Sequence, residues 1–165
     1  MGTLIVYVTT HGCTEKTAQM LEELLEDDVS LVNLKKSSRP DLSWFDTIII
    51  GGSIHAGQIQ RRVKSFCQEH LDTLKQKRLG LFLCCMEEGE TAQKQFDEAF
   101  PAELRTHAAV AGLFGGEFDF DKMNFLQRAI VKKVAGITES VSKIKKDNIH
   151  QFAAALNSRT AINVK

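Results

Sequence analysis

Thr9, Thr10, Gly12 and Thr14 fall within six residues, directly behind the apolar run Thr3 to Val8. Hydroxyls at that density suit an anion, because each donates a hydrogen bond and the glycine lets backbone approach closely. An amphipathic pattern begins at once from Thr14. The amides from about His11 to Thr14 would therefore point outward at the positive end of a helix dipole. Strand, small polar turn and helix together make a phosphate cradle of amides and hydroxyls, with His11 and Lys16 as further donors. The competing reading is that Thr10 or Thr14 merely caps the helix. The turn alone leaves both open.

Other phosphate chemistries lack their residues. No G-x-x-x-x-G-K-[ST] is present, and no G-x-G-x-x-G follows the first strand pattern. Threonines and Gly51-Gly52-Ser53 stand where a metal-binding phosphoacceptor domain would need carboxylates. Cys13 has no arginine bracketing its turn, as a cysteine phosphatase would. Cys84-Cys85 sits at a strand end, where thiol redox chemistry competes with ordinary apolar packing, and adjacent strand residues face opposite ways. His55 is a candidate ligand neighbour or proton donor. His70, His107 and His150 have no visible partner, and no metal-ligand cluster is present. No catalytic acid or base is assigned.

The elements that must position these residues alternate. Val29 to Leu34, Phe45 to Ile50, Gly80 to Cys85 and Ala108 to Phe114 read as further buried strands. Helices follow from Thr14, from about Ile59 to Leu71, from about Thr91 to Phe100 and from about Lys146 to Leu156. Strand three is expected to end at Gly51-Gly52-Ser53. Such alternation gives a parallel sheet, since each return needs a crossover. Ligands then collect beyond the carboxyl ends of the strands. That singles out Thr9 to Thr14, Ser53 to Gly57 and Cys85 to Gly89.

The chain has 165 residues, 43% hydrophobic and 25% charged, with 21 basic against 21 acidic side chains. These values suit one globular domain spanning 1–165 and give no electrostatic footprint for nucleic acid. No secretory pattern opens the chain and no apolar run reaches the length of a membrane span. A cytoplasmic protein with reduced thiols at Cys13, Cys67, Cys84 and Cys85 is expected.

The turn Thr9-Thr10-His11-Gly12-Cys13-Thr14 resembles the FMN phosphate loop of flavodoxins, [ST]-x-T-G-x-T, with histidine in the third position. Gly52-Ser53-Ile54-His55-Ala56-Gly57 is similar to their second flavin loop. G-G-E-F-D-F-D-K-M-N-F-L-Q-R-A-I-V-K-K-V-A-G, after strand five, resembles the corresponding segment of menaquinone-dependent protoporphyrinogen IX dehydrogenases, which are flavodoxin-domain proteins. I-I-I-G-G-S-I-H-A-G with Gln58 to Val63 fits the same group. The resemblance implies a flavodoxin-like three-layer α/β sandwich. Its sheet would have five parallel strands in the order 2-1-3-4-5, helices on both faces and a basic helical insert after strand five. It also implies bound FMN, with the phosphate on Thr9, Thr10, His11, Gly12, Cys13 and Thr14. The ring would lie between Ser53, Ile54, His55, Ala56 and Gly57 on one side and Cys85, Met86, Glu87 and Gly89 on the other.

Two features depart from flavodoxin carriers. The second loop offers only His55 and the third only Met86 to stack on the flavin. The chain is neutral, whereas such carriers are acidic. Both favour an oxidoreductase over a small carrier, and the resemblance implies one that passes electrons from a porphyrinogen to a quinone in haem synthesis. The alternatives are an electron carrier docking to redox enzymes, and a flavin-binding scaffold or sensor without turnover. A helix expected from about Asp121 puts Met123, Leu126, Ile130 and Val134 in one stripe beside Lys122, Arg128, Lys132 and Lys133. These four cations are candidates for contact with substrate or with an anionic membrane surface. An ordinary helix packed on the sheet with a solvated charged face explains them equally.

Overall fold

A computed structural model describes residues 2–136 and 139–158; of Lys122, Val134 and Ala135 only the backbone is described. The apolar runs become β1 (Gly2–Tyr7), β2 (Asp28–Asn33), β3 (Thr47–His55), β5 (Arg78–Cys84) and β6 (Val110–Leu113). They pair in parallel in the order β2-β1-β3-β5-β6. That is the expected 2-1-3-4-5 arrangement once the two-residue β4 (Gln58–Ile59), antiparallel to β3, is set aside.

Side chains on the two faces of the sheet form separate cores. On one face, Leu4, Ile48 and Leu81 pack with Val63 and Phe66 of α2 (Arg61–Glu69), Leu74 of α3 (Leu71–Leu74), Phe96 of α4 (Gly89–Ala99) and Leu104 of α5 (Ala102–His107). On the other, Ile5, Ile49 and Phe82 pack with Ala18 and Leu21 of α1 (Cys13–Leu24) and Ile149, Phe152 and Leu156 of α7 (Lys146–Asn157). The central strands β1, β3 and β5 are buried on both sides, which is why they read as continuous apolar runs rather than alternating ones, while the edge strands β2 and β6 are only partly covered.

Strand three does not end at Gly51. It runs on to His55, with Gly51, Gly52 and Ser53 paired to Phe82, Leu83 and Cys84 of β5. A Cβ on Gly51 would lie 2.0 Å from the Phe82 ring, and one on Gly52 would lie 2.7 Å from Ile59. These glycines admit neighbours; they do not turn the chain. The reversal comes at Ala56-Gly57, both with positive φ (50° and 77°), and closes the β3–β4 hairpin. Ile59 therefore belongs to β4, and the following helix starts at Arg61.

The segment after β6 is a separate leaf. β7 (Glu117–Phe118) pairs antiparallel with β8 (Val141–Ser142), and α6 (Phe125–Ala135) lies between them. The helix begins at Phe125, not near Asp121, because Asn124 and Gln127 form a reciprocal capping box. Met123 thus precedes the helix and is buried, while Leu126 and Ile130 are 67% and 53% exposed. Leu126 and Ile130 of the expected apolar stripe face solvent, and the Val134 side chain lies outside the described residues.

Candidate functional site

β1 and β3 are neighbours, but the chain leaves β1 toward one sheet face and β3 toward the other, which opens a crevice beyond their carboxyl ends. Thr9, His11 and Cys13 from the first turn line one wall. Ser53, Ile54 and His55 from the β3 end line another, and Cys84, Cys85 and Met86 a third. Gly116, Glu117 and Phe118 from the leaf complete it. The slot measures about 400 Å³, its open mouth included. A larger groove, about 780 Å³ measured the same way, runs beside the edge strand β6 and contains none of these turn residues.

The turn is built to leave amides open. Thr9 Oγ1 accepts from the Gly12 amide at 2.9 Å, and Gly12 has a φ of 93°, which an L side chain adopts only with strain. The first intrahelical bond runs from Lys16 N to Gly12 O, so the amides of Cys13, Thr14 and Glu15 precede it. No side chain caps α1. The capping reading of Thr10 and Thr14 is thereby corrected: Gly12 occupies the N-cap, Thr10 Oγ1 accepts from Gln60 Nε2 at 3.4 Å, and Thr14 Oγ1 is buried without a nitrogen or oxygen partner. An uncapped helix start beside an orphaned hydroxyl fits the phosphate end of FMN, the ligand flavodoxin-like sheets hold at the β1/β3 switch point.

Gln60, invisible as a site residue in the sequence, ties the two walls together. Its Oε1 accepts from Ser53 N at 2.9 Å, and its Nε2 donates to Ser53 Oγ at 2.7 Å and to the Val8 carbonyl at 3.3 Å. Ser53 Oγ lies 3.0 Å from His55 Nε2. The His55 ring meets His11 edge-on, with centroids 5.5 Å apart. Burial, with His11 and Lys35 adding to it, brings His55 down to about 4. Burial and then Lys35 also lower His11. Both imidazoles are therefore neutral at pH 7, each with one N–H donor and one acceptor nitrogen.

The remaining expected residues are distributed differently. Ala56 and Gly57 form the exposed hairpin tip. The Glu87 carbonyl lies 3.7 Å from Cys85 Sγ, and Gly89 opens α4; neither residue lines the cleft. The aromatic side chain missing from the loops is supplied by Phe118, and Glu117 beside it pairs with Lys16 at 3.3 Å. Lys132 and Lys133 are exposed on α6 and away from the cleft. Arg128 Nε instead donates to the Phe120 carbonyl at 2.6 Å, which anchors α6 to its own leaf. The Lys122 side chain lies outside the described residues. Among the described residues no group of three metal-ligating side chains occurs, and no helix is long and apolar enough to cross a membrane.

A family model described as a flavodoxin domain matches residues 4–145. No curated protein matches the chain. Among solved structures, flavodoxin 1 from Bacillus cereus is 16% identical and covers 96% of this chain and 99% of its own, with a TM-score of 0.58. A short-chain flavodoxin associated with a non-canonical PDU bacterial microcompartment is 17% identical, covering 94% of this chain and 97% of its own at a TM-score of 0.57. The Streptococcus pneumonia TIGR4 flavodoxin is 16% identical, covering 96% and 99% at 0.56. At these identities the likeness is one of fold.

Proposed function

The chain belongs to the flavodoxin-domain family, and from that premise we propose that it is an FMN-binding electron-transfer protein that passes electrons between redox partners. The observation that carries this reading is the meeting of the uncapped α1 start, the β3–β4 hairpin and the β5 end on one cleft at the switch point. FMN supplies the redox chemistry; the protein supplies position and electrostatics. The Cys13, Thr14 and Glu15 amides and the hydroxyls of Thr9, Thr10 and Thr14 hold the phosphate. Ser53 to His55 and Cys85-Met86 flank the ring. Neutral His11 and His55 offer polar contact without adding positive charge, and Phe118 screens one side from water.

Titration with FMN tests this directly. Saturable quenching of flavin fluorescence is expected, and Gly12→Ala should weaken it about tenfold. The cost of an L residue at that φ, about 1–2 kcal/mol, corresponds to roughly that factor. A folded protein that leaves FMN fluorescence unchanged would overturn the reading.

One observation favours a second, narrower reading: quinone-linked oxidation of a porphyrinogen. Phe125, Leu126 and Ile130 are 87%, 67% and 53% exposed on the helix that carries Lys132 and Lys133. Apolar and cationic groups side by side suit an anionic membrane surface or a porphyrin bearing carboxylates. In that case Lys132→Glu with Lys133→Glu lowers porphyrinogen oxidation with a quinone acceptor at least tenfold and leaves FMN affinity unchanged. Unaltered kinetics would leave the carrier reading alone.

A further inference from the structure

Gln60, Ser53 and His55 form a row of hydrogen bonds whose direction the backbone fixes. The Ser53 amide can only donate, so the Gln60 atom 2.9 Å from it is Oε1. The Val8 carbonyl can only accept, so the Gln60 atom 3.3 Å from it is Nε2. The amide therefore has one orientation, and its Nε2 donates to Ser53 Oγ at 2.7 Å. Ser53 Oγ meets one further partner among the described residues, His55 Nε2 at 3.0 Å.

Two placements of the His55 proton are then open, and they are unequal. The ring is neutral at pH 7, so it carries one proton. With that proton on Nε2, Ser53 Oγ would accept twice, and its own hydrogen would have no acceptor in a residue only 9% exposed. A donor so enclosed is costly to leave unbonded. With the proton on Nδ1 every group is satisfied: Gln60 donates to Ser53, and Ser53 donates to His55. Nδ1 itself makes no hydrogen bond among the described residues and is not a buried atom. The ring lines the cleft, held at Nε2 by Ser53 and flanked by His11, whose ring centroid is 5.5 Å away.

We propose that Gln60 and Ser53 hold His55 as its Nδ1–H tautomer, and that this N–H is the donor the β3 end offers to an acceptor atom of the flavin ring. The ligand rests on the FMN reading above, in which Ser53 to His55 flank that ring. A flavin edge presents carbonyl oxygens and bare ring nitrogens, which accept hydrogen bonds. The opposite tautomer would set a lone pair against them. His55 is the contact; Ser53 and Gln60 act through it as positioning residues.

The tautomer is read without flavin, from nitrogen–proton correlation spectra of the purified chain at pH 7. A protonated Nδ1 and a bare Nε2 are expected for His55, the signal being assigned by its loss in His55→Asn. Ser53→Ala should abolish the preference. Binding is then measured with riboflavin, which has the same ring and no phosphate. His55→Leu should weaken it roughly three- to tenfold, the effect of losing one hydrogen bond. His55→Asn, whose amide N–H takes the place of Nδ1–H, should stay within about twofold of the parent. A proton on Nε2 in the parent, or an unchanged tautomer in Ser53→Ala, would overturn the proposal whatever the flavin does. So would riboflavin binding as weak in His55→Asn as in His55→Leu. A chain with the proton on Nδ1 that binds neither riboflavin nor FMN would instead overturn the flavin reading, and the acceptor named here with it.

Discussion

At the scale of the residue, His55 is the side chain whose surroundings make the sharpest claim. An imidazole held at about 4 by burial, against an ordinary 6.5, is one the folded protein keeps neutral while the unfolded chain protonates it. The unfolded state then binds more protons between those values, so stability rises with pH across the window. The contribution is fully present above about 6.5 and is lost as pH falls toward 4. At about 1.4 kcal/mol per pH unit the ceiling is roughly 3 kcal/mol, and the partial exposure of the ring reduces this to about 1–2 kcal/mol. His55→Gln keeps a group able to bond Ser53 but cannot titrate. Thermal melts from pH 7 to pH 4 should therefore show a shallower loss for the variant than for the parent. Parallel curves would mean that the His55 ring meets solvent freely.

At the scale of the element, the sequence speaks clearly where packing is uniform and poorly where one residue serves two elements. The three central strands are visible as apolar runs because both of their faces are covered. The turn Thr9 to Thr14 is visible because its chemistry is local. Gly51-Gly52 misleads: the pair reads as a strand end, yet its cause is the Phe82 ring directly opposite on the neighbouring strand and the Ile59 side chain across a hairpin. Glu117 and Phe118 reach the cleft only because the leaf folds back, and no local pattern announces that. Gln60 is the hardest case, an uncharged residue before a helix that bridges β1 and β3. Its loss would leave the Ser53 amide and the Val8 carbonyl without that partner, at about 1–3 kcal/mol for such a buried group. Gln60→Ala should lower thermal stability by that order and weaken FMN binding several-fold, since both walls are released. Differential scanning calorimetry with FMN titration checks it. Unchanged values in both would remove Gln60 from the site.

At the scale of the whole molecule, the question is whether the leaf from Glu117 to Ser142 belongs to the scaffold or to the work. Its buried Phe120 and Met123 are in neither of the two cores that hold the sheet. Its ends meet at a narrow neck, where Lys143 N donates to Gly116 O at 2.7 Å and Lys145 N to Phe114 O at 2.8 Å. A short glycine-serine linker can therefore join Gly116 to Lys143 without disturbing β6 or α7. Such a chain should keep its far-UV spectrum and a cooperative melt, because the strand order and both cores are intact. It should bind FMN more weakly, by roughly tenfold, since Phe118 leaves the cleft and an aromatic contact of about 0.5–1.5 kcal/mol goes with it, together with the water it excluded. The electron acceptor then separates the two functional readings. A carrier that docks through its flavin edge still exchanges electrons with small one-electron reagents. An oxidoreductase that meets its quinone through exposed Phe125, Leu126 and Ile130 loses turnover altogether. Collapse of the shortened chain would instead make the leaf part of the fold, with its basic face a by-product of packing.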